Sequence, residues 1–214
     1  MRMRELAAVM AGVTFGMAVM PDMTVLAADN NMDYRRKVVG IAGIMNNTST
    51  GLNDPVTRAE FANMLVRAST YRDYLPATSN VSVYADVPAT AQYASSIRIA
   101  AEQNWITGYL GGLYKPDQSI TLQEAARGIL ALLGYTSEDF DSSLSSARMA
   151  KFYTLELNEN LDRQPNEVLN RTDCINLFYN LLKTDSKTTG KAYATVLGYE
   201  LNSDGEVNPL GLAD

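Results

Sequence analysis

The chain has 214 residues, of which 46% are apolar and 20% charged, so it contains enough apolar material for a buried core and does not resemble a disordered tail. Its formal net charge of −6 argues against an electrostatic grip on nucleic acid. The absence of histidine and the single cysteine, Cys174, exclude histidine-based catalytic triads, most catalytic zinc sites, internal disulfides and CxxC redox pairs. We therefore expect a protein that is not an enzyme and needs no cofactor.

Residues 1–27 have the pattern of a secretory signal peptide. Arg2 and Arg4 form a basic start, an uncharged apolar run follows over residues 6–20, and residues 25–27 place small side chains at a cleavage site. The run is shorter than the roughly 20 residues of a membrane span. We expect export to a bacterial surface with no membrane span after cleavage; an uncleaved anchor is the alternative.

A helix N-terminus recurs three times along the rest of the chain. Each time a capping side chain stands three positions before an acidic residue, and apolar residues at helical spacing follow. The pairs are Thr57 with Glu60, Thr121 with Glu124, and Asn170 with Asp173. Three such capping boxes predict three capped amphipathic helices and an internal repeat.

A second helix and a turn precede each capped helix. In the middle of the chain, apolar positions between Tyr93 and Ala101 mark one helix face, and Asn104 suits the left-handed conformation that ends a helix. Residues 105–116 then form a glycine-rich loop that leads to the next cap. The repeated unit is therefore helix, turn, loop and capped helix.

These signals divide the chain into five parts. They are a signal peptide at 1–27, three units at 28–72, 80–141 and 142–185, and a C-terminal extension at 186–214. Within the extension, residues 187–191 predict a linker. The strand-like residues 192–201, followed by a turn at residues 203–205, favour a small hairpin.

The middle unit resembles the bacterial S-layer homology (SLH) repeat. Residues 86–88, 105–109 and 112–116 follow parts of its F-x-D-V, G-I-I-x-G and G-x-F-x-P motifs, and residues 56–61 spell V-T-R-A-E-F, the most specific signature of that family. The resemblance implies a mostly α fold. Three helix–loop–helix SLH repeats would form a pseudo-three-fold prism with short β or loop segments and a small C-terminal extension.

The resemblance also implies a function at the cell envelope. Grooves between SLH repeats hold a wall-linked polysaccharide, often pyruvylated, and helix N-terminal N–H groups, arginines and aromatic rings suit an acidic sugar. The expected partner is a cell-wall polysaccharide or peptidoglycan, at the surface of a secreted protein without catalysis. The alternative is a structural S-layer or scaffold subunit that acts by self-assembly, and a fused effector region would be a further partner.

Candidate polysaccharide-binding residues follow from the same motifs. Arg58 and Arg171 occupy the arginine position of T-R-A-E and could pair with a carboxylate, whereas Leu122 at that position in the middle unit cannot. The other candidates are Thr57, Glu60, Asp86, Gly108, Tyr109, Gly112, Tyr114, Thr121, Glu124 and Asp173.

Each of these candidates also has a structural explanation. The threonines and acids of the boxes can simply cap helices, and Asp86 can cap the helix that contains Tyr93. The two glycines can serve the backbone conformation, while Tyr109 and Tyr114 are expected to face a groove. Trp105 and Cys174 are predicted to pack in the core.

Overall fold

A computed structural model describes residues 32–140, 144–203 and 205–208. The predicted signal peptide and the alternative anchor lie outside the described residues. Within them the regular structure is helical, which confirms the mostly α prediction. The helices are α1 (Met32–Ile41), α2 (Arg58–Arg67), α3 (Ala94–Glu102), α4 (Leu122–Leu132), α5 (Leu144–Thr154), α6 (Arg171–Lys183) and α7 (Tyr193–Val196). Short 3-10 turns at Arg72–Tyr74 and Ser137–Asp139 and isolated β-bridges complete the described part.

The helices α2, α4 and α6 begin at the three predicted capping boxes. In each box the carboxylate of the acid accepts the backbone N–H of the cap residue, which satisfies a donor that the helix itself leaves unpaired. The donor–acceptor distances are 2.8 Å for Thr57 and Glu60, 3.0 Å for Thr121 and Glu124, and 2.9 Å for Asn170 and Asp173.

Three buried residues, each just before a capping box, join the units at the centre of the molecule. The N–H of Val56 donates to the carbonyl oxygen of Leu169 (3.0 Å), that of Ile120 to Val56 (2.9 Å), and that of Leu169 to Ile120 (3.0 Å). These bonds form a closed ring of three, which we call the hub. Because the hub is cyclic, it relates the three units by an approximate three-fold axis.

The first two N–H groups of each capped helix donate to the loop of the following unit. In α2, the N–H of Arg58 donates to Gln118 (2.8 Å) and that of Ala59 to Pro116 (3.0 Å). The corresponding bonds of α4 and α6 run from Leu122 to Glu167, Gln123 to Pro165, Arg171 to Asp54 and Thr172 to Leu52. Neighbouring units are thus held together where each capped helix begins.

The remaining helices follow the same cyclic order. The helix α3 packs on α2, α5 packs on α4, and α1 closes the circle against α6. Gly43, Asn104 and Glu156, with φ of 68°, 58° and 55°, end α1, α3 and α5 in the left-handed conformation. The predicted role of Asn104 is confirmed.

One contiguous apolar core fills the space between the helices. Phe61 of α2 and Phe178 of α6 meet with their ring centroids 5.5 Å apart. Cys174 is fully buried, and burial raises the pKa of its thiol. Trp105 is 8% exposed and meets Tyr71 edge-on. The predicted core positions of Cys174 and Trp105 are confirmed.

The C-terminal extension differs from its prediction. Residues 193–196 form the short helix α7 rather than a strand. An antiparallel bridge between Leu201 and Val207 and backbone hydrogen bonds from Asn202 to Glu206 and from Asn208 to Glu200 span the predicted turn. The hydroxyl of Tyr193 donates to Ala68 (2.9 Å), and that of Tyr34 donates to Val207 (2.5 Å). The segment at 187–191 is therefore a tight loop that returns the chain to the core, not a linker to a detached part.

The hub generates a stability prediction. We expect Leu169→Ala to lower the free energy of unfolding by about 2–5 kcal/mol, because a fully buried side chain is lost where three units meet. The neighbouring Val168 is 47% exposed, so Val168→Ala should cost less than about 0.5 kcal/mol. Urea unfolding of both variants measures the difference, and equal costs would show that the hub is not a centre of stability.

Candidate functional site

The cyclic contacts create clefts where the loop of one unit covers the start of the neighbouring capped helix. The cleft between the first and second units contains a cavity of about 170 Å³. Its walls include Arg58 from α2, Thr107 and Tyr114 from the glycine-rich loop, and Glu124 from α4. Arg58, Tyr114 and Glu124 are predicted site residues, and Thr107 directly precedes another, Gly108. Residues up to 66 positions apart in the sequence therefore meet in this cleft.

Each of the three guanidinium nitrogens of Arg58 donates a hydrogen bond inside this cleft. It donates to the carbonyl oxygens of Tyr114 (2.9 Å) and Thr107 (2.7 Å) and to the carboxylate of Glu124 (2.5 Å). Its carbon lies 4.8 Å and 4.6 Å from the ring centroids of Tyr109 and Tyr114. With 4% of the side chain exposed, Arg58 joins two units instead of presenting a free cation, contrary to expectation.

The two tyrosines of the loop have different positions. Tyr109 is half-buried, and its hydroxyl donates to Glu124 (2.9 Å). Tyr114 is 1% exposed, and its hydroxyl donates to the carbonyl oxygen of Arg58 (2.7 Å). Burial raises the pKa of both hydroxyls. Although buried, Tyr114 lines the cavity of this cleft, so the groove-facing role of the two tyrosines stays a prediction.

At the interface between the second and third units, a different arginine pairs with the acid of the capping box. Leu122, at the position of Arg58, is fully buried and apolar. The carboxylate of Asp173, which corresponds to Glu124, instead accepts from Nε of Arg163 at 2.8 Å. Motif matching missed Arg163 because it lies in a loop outside the T-R-A-E box, although it stands ten residues before the acid it pairs with.

Arg171, at the interface between the third and first units, is the most available of these arginines. One of its terminal nitrogens donates to the carbonyl oxygen of Asn47 (2.6 Å), and its Nε has no hydrogen-bond partner. No carboxylate of the described residues forms a salt bridge with it, and the side chain is only partly buried. Arg171 can therefore donate hydrogen bonds to an additional acidic group.

Asp86 braces the glycine-rich loop and does not cap α3. Its carboxylate accepts the N–H groups of Tyr114 and Lys115, both at 2.7 Å, where Lys115 has a φ of 58°. Burial raises the pKa of Asp86, but hydrogen bonds from backbone N–H groups and the charge of Arg58 together lower it more, so the pKa lies below its ordinary value of 3.8.

Three predicted residues share another cavity, of about 390 Å³, along α2 and α3. They are Thr57, Glu60 and Asp86, and Asp117 adds a third carboxylate to the walls. These oxygens can accept hydrogen bonds from sugar hydroxyls but would repel an acidic sugar. Thr121 resembles Thr57 in that its hydroxyl donates to the acid of its own box, Glu124 (2.9 Å).

Gly108 and Gly112 serve the backbone. A Cβ atom at Gly108 would lie 2.4 Å from the ring of Tyr84 and 2.8 Å from the carbonyl oxygen of Leu113. Gly112 has a φ of 74°, which disfavours side chains. The N–H groups at the start of the three capped helices donate to cap side chains and to neighbouring loops. They are therefore not free to bind an anion, although the resemblance implied that they would.

The described part of the chain contains neither a candidate metal site nor a helix that could span a membrane. No group of three or more histidine, cysteine or acidic side chains there has the spacing of a metal site. Over the same residues, no helix combines the length and apolar character needed to cross a membrane.

Comparison with known proteins identifies the class. Residues 83–126 match the S-layer homology domain, so the chain carries an SLH domain that coincides with the middle unit. The domain supports a role in cell-surface anchoring or in an S-layer, and it points to a secreted, non-enzymatic structural protein.

Two curated proteins are similar to the chain. A middle cell wall protein of Brevibacillus brevis is 25% identical over 151 residues, and a surface layer protein of Brevibacillus choshinensis is 29% identical over 101 residues. The matches cover 71% and 47% of this chain. They cover 14% and 9% of those longer proteins.

The buried arginine generates a second prediction. We expect Arg58→Met to lower the free energy of unfolding by about 3 kcal/mol, because it leaves Glu124 and two carbonyl oxygens without their donor. The control is Arg98→Gln, which removes a more exposed pair with Glu102 and should cost less than about 0.5 kcal/mol. If chemical denaturation finds both variants equally stable, Arg58 does not join the units.

Asp86 generates a pH prediction. A carboxyl whose pKa is lower in the folded chain contributes stability above its unfolded pKa, and this contribution is lost as the pH falls through the folded pKa. Asp86→Asn can accept only one of the two N–H groups, so it should unfold at a lower temperature than the wild type at pH 7. The difference should shrink below about pH 4. Thermal unfolding at pH 7, 5 and 3 measures the difference in unfolding temperature between the two proteins. A difference that stays constant with pH would contradict a stabilising role of the Asp86 carboxylate.

Proposed function

We propose that the chain is a non-catalytic module that anchors a protein to the cell envelope by binding an acidic secondary cell-wall polysaccharide in its inter-unit clefts. The observation that carries this proposal is the cyclic packing, in which each loop covers the start of a neighbouring capped helix. The SLH domain at residues 83–126 adds independent support. We infer that the first and third units are divergent SLH repeats, because their hub and cap bonds correspond to those of the middle unit.

Arg171 is the residue we assign to the acidic group of the sugar. A guanidinium can bind a carboxylate, such as that of a pyruvate ketal, through two parallel hydrogen bonds. Arg58 is buried, and each of its three nitrogens already donates a hydrogen bond, one of them to Glu124, whereas Arg171 has one bond to Asn47 and no salt bridge to a described carboxylate. The cleft between the third and first units is therefore the primary site for a charged sugar.

Groups in two other cavities suit neutral parts of the polymer. The cavity along α2 and α3 presents the carboxylates of Glu60, Asp86 and Asp117, which accept hydrogen bonds from hydroxyl groups. Tyr109 and Glu124 offer a hydroxyl and a carboxylate beside Arg58. Different clefts would then bind different sugars of one repeating unit.

A structural S-layer subunit is the second candidate function. Apolar side chains at the surface favour it, because Leu110 is fully exposed, Tyr74 is 80% exposed and Val81 is 52% exposed. Protein–protein assembly without polysaccharide would bury such side chains. Light scattering that rises with protein concentration in the absence of wall material would support this alternative.

The proposal predicts the effect of removing one charge. We expect Arg171→Gln to weaken binding to purified walls by about tenfold or more, because a charge-assisted hydrogen bond contributes about 1.5–3 kcal/mol. Arg98→Gln, which removes the same charge from a helix surface, should bind like the wild type. Sedimentation with walls that retain or lack the secondary polymer measures the affinity. Binding that is independent of the polymer would contradict the proposed function, and unchanged binding of Arg171→Gln would remove Arg171 from it.

A further inference from the structure

A cavity of about 330 Å³ lies along α4 and α5, next to the Arg58 cleft but further from the hub. Trp105 lines this cavity, and the turn after α4 contributes Tyr135. Arg127 of α4 and Arg148 of α5 line both this cavity and the Arg58 cleft, so the two spaces share a wall. Neither arginine belongs to the V-T-R-A-E-F segment or its counterparts.

The two arginines lack acidic partners within the described part of the chain. Arg127 donates from Nε to the carbonyl oxygen of Asn104 at a long 3.4 Å, and the guanidinium of Arg148 lies over the ring of Phe140 at 5.6 Å. No carboxylate of the described residues forms a salt bridge with either side chain. Both side chains are partly buried, so solvent screens their charges incompletely.

The like charges oppose each other. Burial lowers the pKa of Arg127, and the charge of Arg148 lowers it further; burial also lowers the pKa of Arg148. An arginine nevertheless stays protonated at neutral pH, so the repulsion persists in the empty cavity. An anion between the two guanidinium groups would remove the repulsion and gain charge-assisted hydrogen bonds.

Two lysines lie beside Tyr135, one of the residues that line the cavity. The ammonium groups of Lys151 and Lys187 lie 5.4 Å and 5.7 Å from the Tyr135 ring centroid. Lys187 is paired with Asp139, and Lys151 has no salt bridge to a described acid. This local excess contrasts with the net charge of −6 of the whole chain, so it is not a consequence of composition.

The cavity also offers apolar surface for a ring. Trp105, Tyr135 and Phe140 are among its lining residues, and aromatic faces commonly cover the apolar faces of sugar rings. Its volume lies at the lower end of the range for small-molecule sites, which suits one sugar residue with an acidic substituent.

We propose that Arg127 and Arg148 form an anion-binding subsite for a sugar residue that carries a carboxylate or a phosphate group. Because the subsite shares a wall with the Arg58 cleft, it extends the glycan path from that cleft along α4 and α5. This inference rests on the proposed function for the nature of the polymer, but it uses residues that the family motif does not contain.

The single tryptophan of the chain makes the subsite directly measurable. Trp105 lines the cavity, so its fluorescence should change in a saturable way when a ligand enters. The probes are N-acetylglucosamine methyl glycoside carrying a 4,6-pyruvate ketal, N-acetylglucosamine 6-phosphate, and the methyl glycoside of N-acetylglucosamine as the neutral control. We expect one or both acidic probes to saturate the signal, and the stronger probe identifies the carboxylate or the phosphate as the preferred group. The neutral probe should give no saturable change.

Charge variants test the assignment to the two arginines. The double variant Arg127→Gln/Arg148→Gln should bind the acidic probe at least tenfold more weakly, whereas the control Arg98→Gln, at a position that does not line the cavity, should leave the Trp105 signal unchanged. The variant Arg127→Lys/Arg148→Lys keeps both charges and should retain part of the affinity, which guards against a loss through misfolding. The proposal is overturned if neither acidic probe saturates the signal, or if the Gln double variant binds like the wild type.

The same proteins separate this inference from the proposed function. Wild-type chain that sediments with polymer-bearing walls while Trp105 responds to no acidic probe would overturn the subsite and keep wall binding. A saturable Trp105 response without sedimentation would support the subsite and contradict wall anchoring. Reduced wall binding of the Gln double variant, additional to that of Arg171→Gln, would place both arginines on one glycan path.

Discussion

The structure depends on the hub, the ring of three backbone hydrogen bonds among Val56, Ile120 and Leu169. These N–H and C=O groups are buried, so each must find a partner or cost free energy. Each finds it in a neighbouring unit, and none of the three bonds closes within one unit. The units are therefore held in a circle, and the clefts between them result from the pairing of buried backbone groups.

The three interfaces share a geometry but differ in how they neutralise the acid of the capping box. Glu124 is paired with Arg58 from the neighbouring helix, and Asp173 is paired with Arg163 from a nearby loop. In the third interface, Arg171 retains unused donor capacity. The approximate symmetry of the backbone thus coexists with an asymmetric distribution of charge, and this asymmetry assigns separate roles to clefts that look equivalent in sequence.

Local features of the fold were predictable, whereas the C-terminal extension was not. A capping box spans four residues, and the left-handed Asn104 ends its own helix, so both follow from neighbouring positions in the chain. Residues 193–196 contain strand-favouring side chains but form a helix, because the hydroxyl of Tyr193 reaches Ala68 and the segment packs on α6. Tertiary contacts outweighed a weak local preference there.

The sequence by itself determined where the capped helices start, which residues enter the core and which domain the middle unit represents. Only the tertiary structure decided which arginines have free donors. The partners of Arg58 are 49, 56 and 66 residues away, and the two arginines of the α4–α5 cavity come from separate helices. Capping is an interaction within one helical turn. Which N–H groups of a guanidinium have hydrogen-bond partners depends instead on groups that meet only when distant units pack together.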